Sequence, residues 1–114
     1  EVRYEKSVLH CFSSDTEMAG RAVSLGCFLS FTGNVTFGKN HTEAVLSAIP
    51  MDRIMLETDC PFMAPIPNRG KLNEPANIPY IAERISEIKG VDVSEVADST
   101  TETAQSFFNL PRAT

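Results

Sequence analysis

Five residues of this sequence combine reactive chemistry with suggestive placement: His10, Glu57, Asp59, Arg69 and Lys71. His10 follows the apolar pair Val8-Leu9, and Asp59 follows the apolar run Ile54-Met55-Leu56 through Glu57 and Thr58. An imidazole and a carboxylate at the carboxyl ends of two short apolar strands suit a divalent cation of mixed N/O preference, such as Zn, Mn or Mg. Asp59 is also placed to act as a general base. The plainer readings are a buried, hydrogen-bonded structural histidine and a turn-capping aspartate ahead of Pro61. Glu57 lies two residues before Asp59, on the same side if strand alternation continues. It reads best as a buried carboxylate supporting the ligands. Arg69 and Lys71 bracket Gly70. An arginine fork and a lysine point charge can grip a phosphate, and the alternative is a solvated loop with Arg69 paired to Glu74.

The remaining candidates carry less. His41 sits among polar residues and reads as a surface histidine. Cys11, Cys27 and Cys60 show no CxxC spacing and read as small buried hydrophobes. Cys60 would be a nucleophile only beside a histidine base, which its local sequence lacks. There is no Walker A loop, GxGxxG, GxSxG or HExxH motif.

Three strands must position these groups. Residues 8–12 read as a buried strand, with Ser14 or Asp15 capping a helix over 16–25 and Gly26 ending it in the left-handed region. Residues 27–31 form a second strand and 35–38 an extended or irregular segment. A helix over 40–49 presents Ala44, Val45, Ala48 and Ile49, and Pro50 stops it. Residues 53–56 are the third strand. Cys60-Pro61 ends its ladder, because proline has no N–H to give. The loop that follows is too long and too charged for a plain connector and reads as a binding loop. Asn73-Glu74-Pro75 fastens it to a helix capped by Asn77, with Ile78, Ile81, Ala82, Ile85 and Ile88 as its apolar stripe. A last helical stretch is capped by Ser94 and breaks near Thr100-Thr101. Strand and helix alternation predicts an α/β fold with a parallel sheet and right-handed crossovers. Three strands alone would leave an open edge and one bare apolar face.

With 114 residues the chain is one domain at most. Its net charge of −5 argues against a general nucleic-acid coat, which would need excess Lys and Arg. It leaves open an enzyme that meets phosphate through a metal. An odd number of cysteines points to reduced thiols in a cytoplasmic setting. No run approaches the roughly 20 apolar residues of a membrane span. A first residue other than methionine suggests a piece of something longer.

Together the segments LHCFS (9–13), SFTGNVTF (30–37), PMDRIMLETDCPFMAP (50–65), NRGKLNEP (68–75) and EVADSTTETAQSFF (95–108) closely resemble the TatD-type metal-dependent deoxyribonucleases. The ETD-x-P and RGK-x-NEP motifs occur in order and at the family's spacing. The resemblance implies the carboxyl-terminal part of a TIM (β/α)8 barrel, about three βα units, with a one- or two-metal centre at its carboxyl face. His10 matches a metal-binding histidine. Asp59 matches the aspartate that binds metal and handles the proton of the attacking water, and Glu57 matches a glutamate beside the site. Ser14 stands where the family has glycine. The family's His-x-His pair, central glutamate and another histidine are not in this sequence, so the first strands of the barrel are expected to lie elsewhere. The implied activity is phosphodiester hydrolysis in DNA, trimming single-stranded ends, with Arg69 or Lys71 on the backbone. Two alternatives are a half-barrel that assembles with itself or with a separate amino-terminal half, and an amidohydrolase acting on a small substrate.

Overall fold

The computed structural model describes residues 6–38 and 41–111. Its centre is a parallel sheet in the order β1 (Val8–Leu9), β2 (Phe28–Phe31), β3 (Ile54–Leu56). Val8 pairs with Phe28, and Leu29, Ser30 and Phe31 pair with Ile54, Met55 and Leu56. Alternation then divides the sheet into two faces. Leu29, Phe31 and Ile54 point one way and are buried with α1 (Thr16–Ser24), α2 (His41–Ala48) and α3 (Ile78–Lys89). Phe28, Ser30 and Met55 point the other way.

That second face is covered by the carboxyl-terminal half of α4 (Val93–Phe108). Phe107 sets its ring edge-on to Phe28 with centroids 5.2 Å apart. Ala104 and Phe108 line one cleft with Val8, Ser30, Met55 and Glu57. Thr103 Oγ1 donates to Asp52 O at 3.5 Å, and Lys6 Nζ donates to Phe107 O at 3.1 Å. The bare face expected of a three-strand sheet is therefore closed by the chain itself. No helix of the described residues is long and apolar enough to cross a membrane.

Local chemistry explains the element ends. Asp15 caps α1 by accepting from Met18 N at 3.0 Å, and Gly26 follows the helix at φ 93°. Gly90 ends α3 at φ 67°.

Several expectations change. The first strand stops at Leu9, because Cys11 turns left-handed at φ 49°; Phe12 N still reaches Ser30 O at 2.9 Å. Leu9 is exposed because β1 is the sheet's edge. Residues 35–36 are not extended but belong to the 3₁₀ turn Gly33–Thr36, opened by Thr32 Oγ1 accepting from Asn34 N. Asn40, expected in α2, lies outside the described residues. The buried face of α2 is Thr42, Val45 and Leu46, with Ile49 beyond, while Ala44 and Ala48 are exposed. The larger side chains take the inward positions because they bury more apolar area. Asn77 holds the N-cap position of α3 as expected but makes no side-chain cap bond; its side chain is engaged by Asn73 and Asn68. Asp92, not Ser94, occupies the N-cap position of α4. That helix runs unbroken through Thr100, whose hydroxyl donates back to Val96 O at 2.8 Å and so stays inside the helical ladder.

Gly33 is required by a close approach. A Cβ there would lie 2.2 Å from Met63 O and 2.8 Å from Pro65 N, both backbone atoms of the long loop. Thr36 Oγ1 donates to Gly33 O at 2.7 Å and accepts from Ile66 N at 2.9 Å, holding the same loop from its far side. Gly33→Ala should lower the stability of the chain by about 1–3 kcal/mol in urea unfolding. Gly20→Ala, in α1 with open space around it, should raise stability by about 0.5–1 kcal/mol. Equal midpoints for wild type and Gly33→Ala would contradict the close approach.

Candidate metal centre

The ends of β1 and β3 converge at the carboxyl rim. His10 stands in the turn after β1, and Glu57 and Asp59 follow β3. One donor atom from each of these three side chains lies within 4.8 Å of the other two. His10 Nδ1 and Glu57 Oε1 are 3.9 Å apart. The imidazole is 80% exposed, so the buried structural histidine is not what forms.

Two backbone devices bring the cluster together. Glu57 N donates to Phe31 O at 2.9 Å, which extends the β2–β3 ladder by one residue. Asp59 then adopts φ 59°, a left-handed conformation that a residue other than glycine takes up at a cost of about 1–3 kcal/mol. Regular alternation from Glu57 therefore does not carry Asp59 to the site; a sharp turn does. Cys11 shares the left-handed conformation and directs its N–H to Glu57 Oε2 at 2.9 Å. One oxygen of Glu57 is thus held by backbone, and the other faces His10. Glu57 is partly buried and stands inside the cluster.

The donor set is one imidazole nitrogen and two carboxylates, which fits a divalent ion of mixed N/O preference. Hydrolytic and structural sites use four or more contacts. Three donors from this chain leave room for water, substrate or donors from elsewhere.

Cys11 was not foreseen as a part of the site. Burial raises its thiol pKa, the Thr32 hydroxyl 3.9 Å away opposes this, and the nearby Asp59 and Glu57 charges add to the rise. It stays a neutral thiol near pH 7. Only Cys27 is buried; Cys60 is exposed and Cys11 intermediate, because both lie in the turns at the rim. His41 is exposed, as a surface histidine should be.

Arg69 does not pair with Glu74. Its guanidinium lies 3.9 Å from the centroid of the Phe37 ring, a cation–π contact that anchors it while leaving it exposed. Lys71 is exposed, and its backbone N–H donates to Asn68 O at 3.0 Å.

The loop carrying both residues is held by Asn73, which is buried. Its Nδ2 donates to Thr58 O at 2.7 Å and to Phe62 O at 2.8 Å. Its Oδ1 accepts from Glu74 N and from Asn77 Nδ2, both at 2.9 Å. Its own N–H donates to Pro61 O at 3.0 Å. Fastening by residues 73–75 was legible in the sequence, but the reach of Asn73 back to both sides of Asp59 was not.

A family model described as TatD related DNase matches residues 1–109. The chain is 42% identical over 104 residues to the uncharacterized metal-dependent hydrolase YabD of Bacillus subtilis, covering 90% of this chain and 41% of that protein. It is 43% identical over 106 residues to the uncharacterized metal-dependent hydrolase YcfH of Escherichia coli K12, covering 90% of this chain and 39% of that one. The crystal structure of YjjV, a TatD homolog from Escherichia coli K12, superposes with a TM-score of 0.84 at 27% identity, over 92% of this chain and 41% of its own. The chain thus spans about 40% of the length of the curated relatives it matches.

Asn73→Ala should free the loop. Losing these bonds should cost about 2–3 kcal/mol, and trypsin should cut after Arg69 and Lys71 at least about tenfold faster, by the conversion of 1.4 kcal/mol to a factor of ten. An unchanged cleavage rate would mean that Asn73 does not hold the loop.

Proposed function

The chain belongs to the TatD-related DNase family, and from that premise we propose that it is the carboxyl-terminal part of a metal-dependent hydrolase that cleaves phosphodiester bonds in DNA, trimming single-stranded ends. The observation that carries this reading is the His10, Glu57 and Asp59 cluster at the carboxyl rim of parallel strands, where barrel enzymes keep their chemistry. The three βα units form part of a TIM barrel, and the rest of that barrel supplies the further donors.

His10 and Asp59 are the ligands from this chain. One or two divalent ions, Mg, Mn or Zn, would supply Lewis-acid chemistry there. Asp59 accepts the proton of the attacking water. Glu57, fixed by the Cys11 N–H, orients His10. Arg69 and Lys71 hold the neighbouring phosphate, Arg69 with its plane set by Phe37. The cytoplasm suits a protein whose three cysteines are free thiols.

The test is digestion of end-labelled single-stranded DNA by the full-length protein with Mg or Mn. Chelator should abolish cleavage. Asp59→Asn should lower it by about 10²–10⁴-fold, with the circular dichroism spectrum unchanged. Full turnover by that variant would overturn the role of Asp59. The 114-residue chain alone, with His10 and Asp59 as its ligands, should be inactive until the amino-terminal half is added.

A second reading is favoured by the outer edges of β1 and β3, which no other strand of the described residues pairs: a half-barrel that pairs with itself or with a separate amino-terminal half. Sedimentation of the chain should then show dimers at micromolar concentration, and a monodisperse monomer would count against self-pairing.

A further inference from the structure

We propose that Phe62 is a stacking platform for a nucleobase of the bound single strand, held beside Asp59 by backbone bonds. This rests on the DNA-hydrolysing reading above and names how that site grips its substrate.

Phe62 is 71% exposed. Phe12 and Phe31 are buried, and Phe108, the other strongly exposed phenylalanine, stacks edge-on with Phe107. Among the described residues its ring has no aromatic or cationic partner. Yet its backbone is tightly engaged. Its N–H donates to Asp59 O at 2.9 Å, and its carbonyl accepts from Asn73 Nδ2 at 2.8 Å. An apolar ring is thus presented to solvent on a fixed backbone, three residues from the carboxylate that carries the chemistry.

Its surroundings indicate the ligand. The bond from Asn73 N to Pro61 O joins the two limbs of the loop at the residues next to Phe62 and Leu72. Leu72 is 82% exposed. Lys71 precedes it, and Arg69 lies on the same loop, fixed over Phe37. Apolar surface interleaved with two cations is a poor match for a lipid tail or a purely apolar peptide. It matches a single strand, whose phosphates take the cations and whose bases take the aromatic face. The chain as a whole carries −5, so the attraction is local to this loop. Stacking does not read sequence, since every base offers a π-face, so the platform would serve an enzyme that trims ends of any sequence.

The experiment compares full-length wild type, Phe62→Ala and Phe62→Trp in Mn-dependent cleavage of two single-stranded oligonucleotides, one ordinary and one abasic at its terminal three nucleotides. Phe62→Ala should raise KM on the ordinary strand about tenfold with kcat little changed. It should leave KM on the abasic strand unaltered, and Phe62→Trp should restore the wild-type value. Equal effects on both strands, no effect on either, or a lowered Tm in Phe62→Ala would overturn the platform, the last by showing that the ring packs against protein. Cleavage of neither strand by wild type would overturn the DNA reading and this proposal together. Cleavage with an unaltered KM in Phe62→Ala would overturn the platform alone.

Discussion

The carboxamide of Asn73 is the interaction on which the rim depends. An asparagine side chain offers two donors and two acceptor sites, and here all four are used within the protein. Two of the bonds fall on the carbonyls of Thr58 and Phe62, on either side of Asp59. The other two tie the same amide to Glu74 and Asn77, ahead of α3. A left-handed aspartate in an irregular segment would relax to another conformation if its neighbours were free. Bonding both flanks to one buried group removes that freedom, and α3 packed in the core keeps the group in place. Gly33 and Thr36 complete the arrangement from β2's side by letting residues 63–66 lie flat against it.

Most of the architecture is legible in the residues themselves. Apolar runs of three to five residues alternating with helical periods imply the parallel sheet that forms, because burial on both faces leaves that signature in composition. His10 and Asp59 were legible because strand ends concentrate on one rim. Other features had no such signature. The left-handed turns at Cys11 and Asp59 are not at glycines, so residue type did not mark them. In α2, Thr42 and Leu46 rather than Ala44 and Ala48 join Val45 in the core, because burial favours bulk. Asn77 carries a capping residue's chemistry but spends it on Asn73 and Asn68. Cys60 reads as a small buried hydrophobe but is exposed, because the loop around it is shaped by bonds from Asn73, more than ten positions away.

The two left-handed residues also explain how a mixed set of donors can share so small a space. An unbroken strand would send alternate side chains to opposite faces, leaving His10, Glu57 and Asp59 dependent on register alone. Breaking both strands at the rim turns the Cys11 N–H inward, where it occupies one oxygen of Glu57. The remaining oxygen and the His10 imidazole are left facing each other. Backbone geometry thus sets the spacing of the cluster.

The helix that covers the sheet's second face has a consequence for synthesis. Lys6 and Phe107 meet across 101 positions, so the cover over Phe28 and Met55 arrives long after both strands have left the ribosome. About 50 residues separate β3 from the end of α4, which at ordinary elongation rates is a delay of roughly 3–10 s. Until then Phe28 and Met55 have no cover from α4. Closure of this face therefore depends on the last helix of the chain, not on the strands that form it.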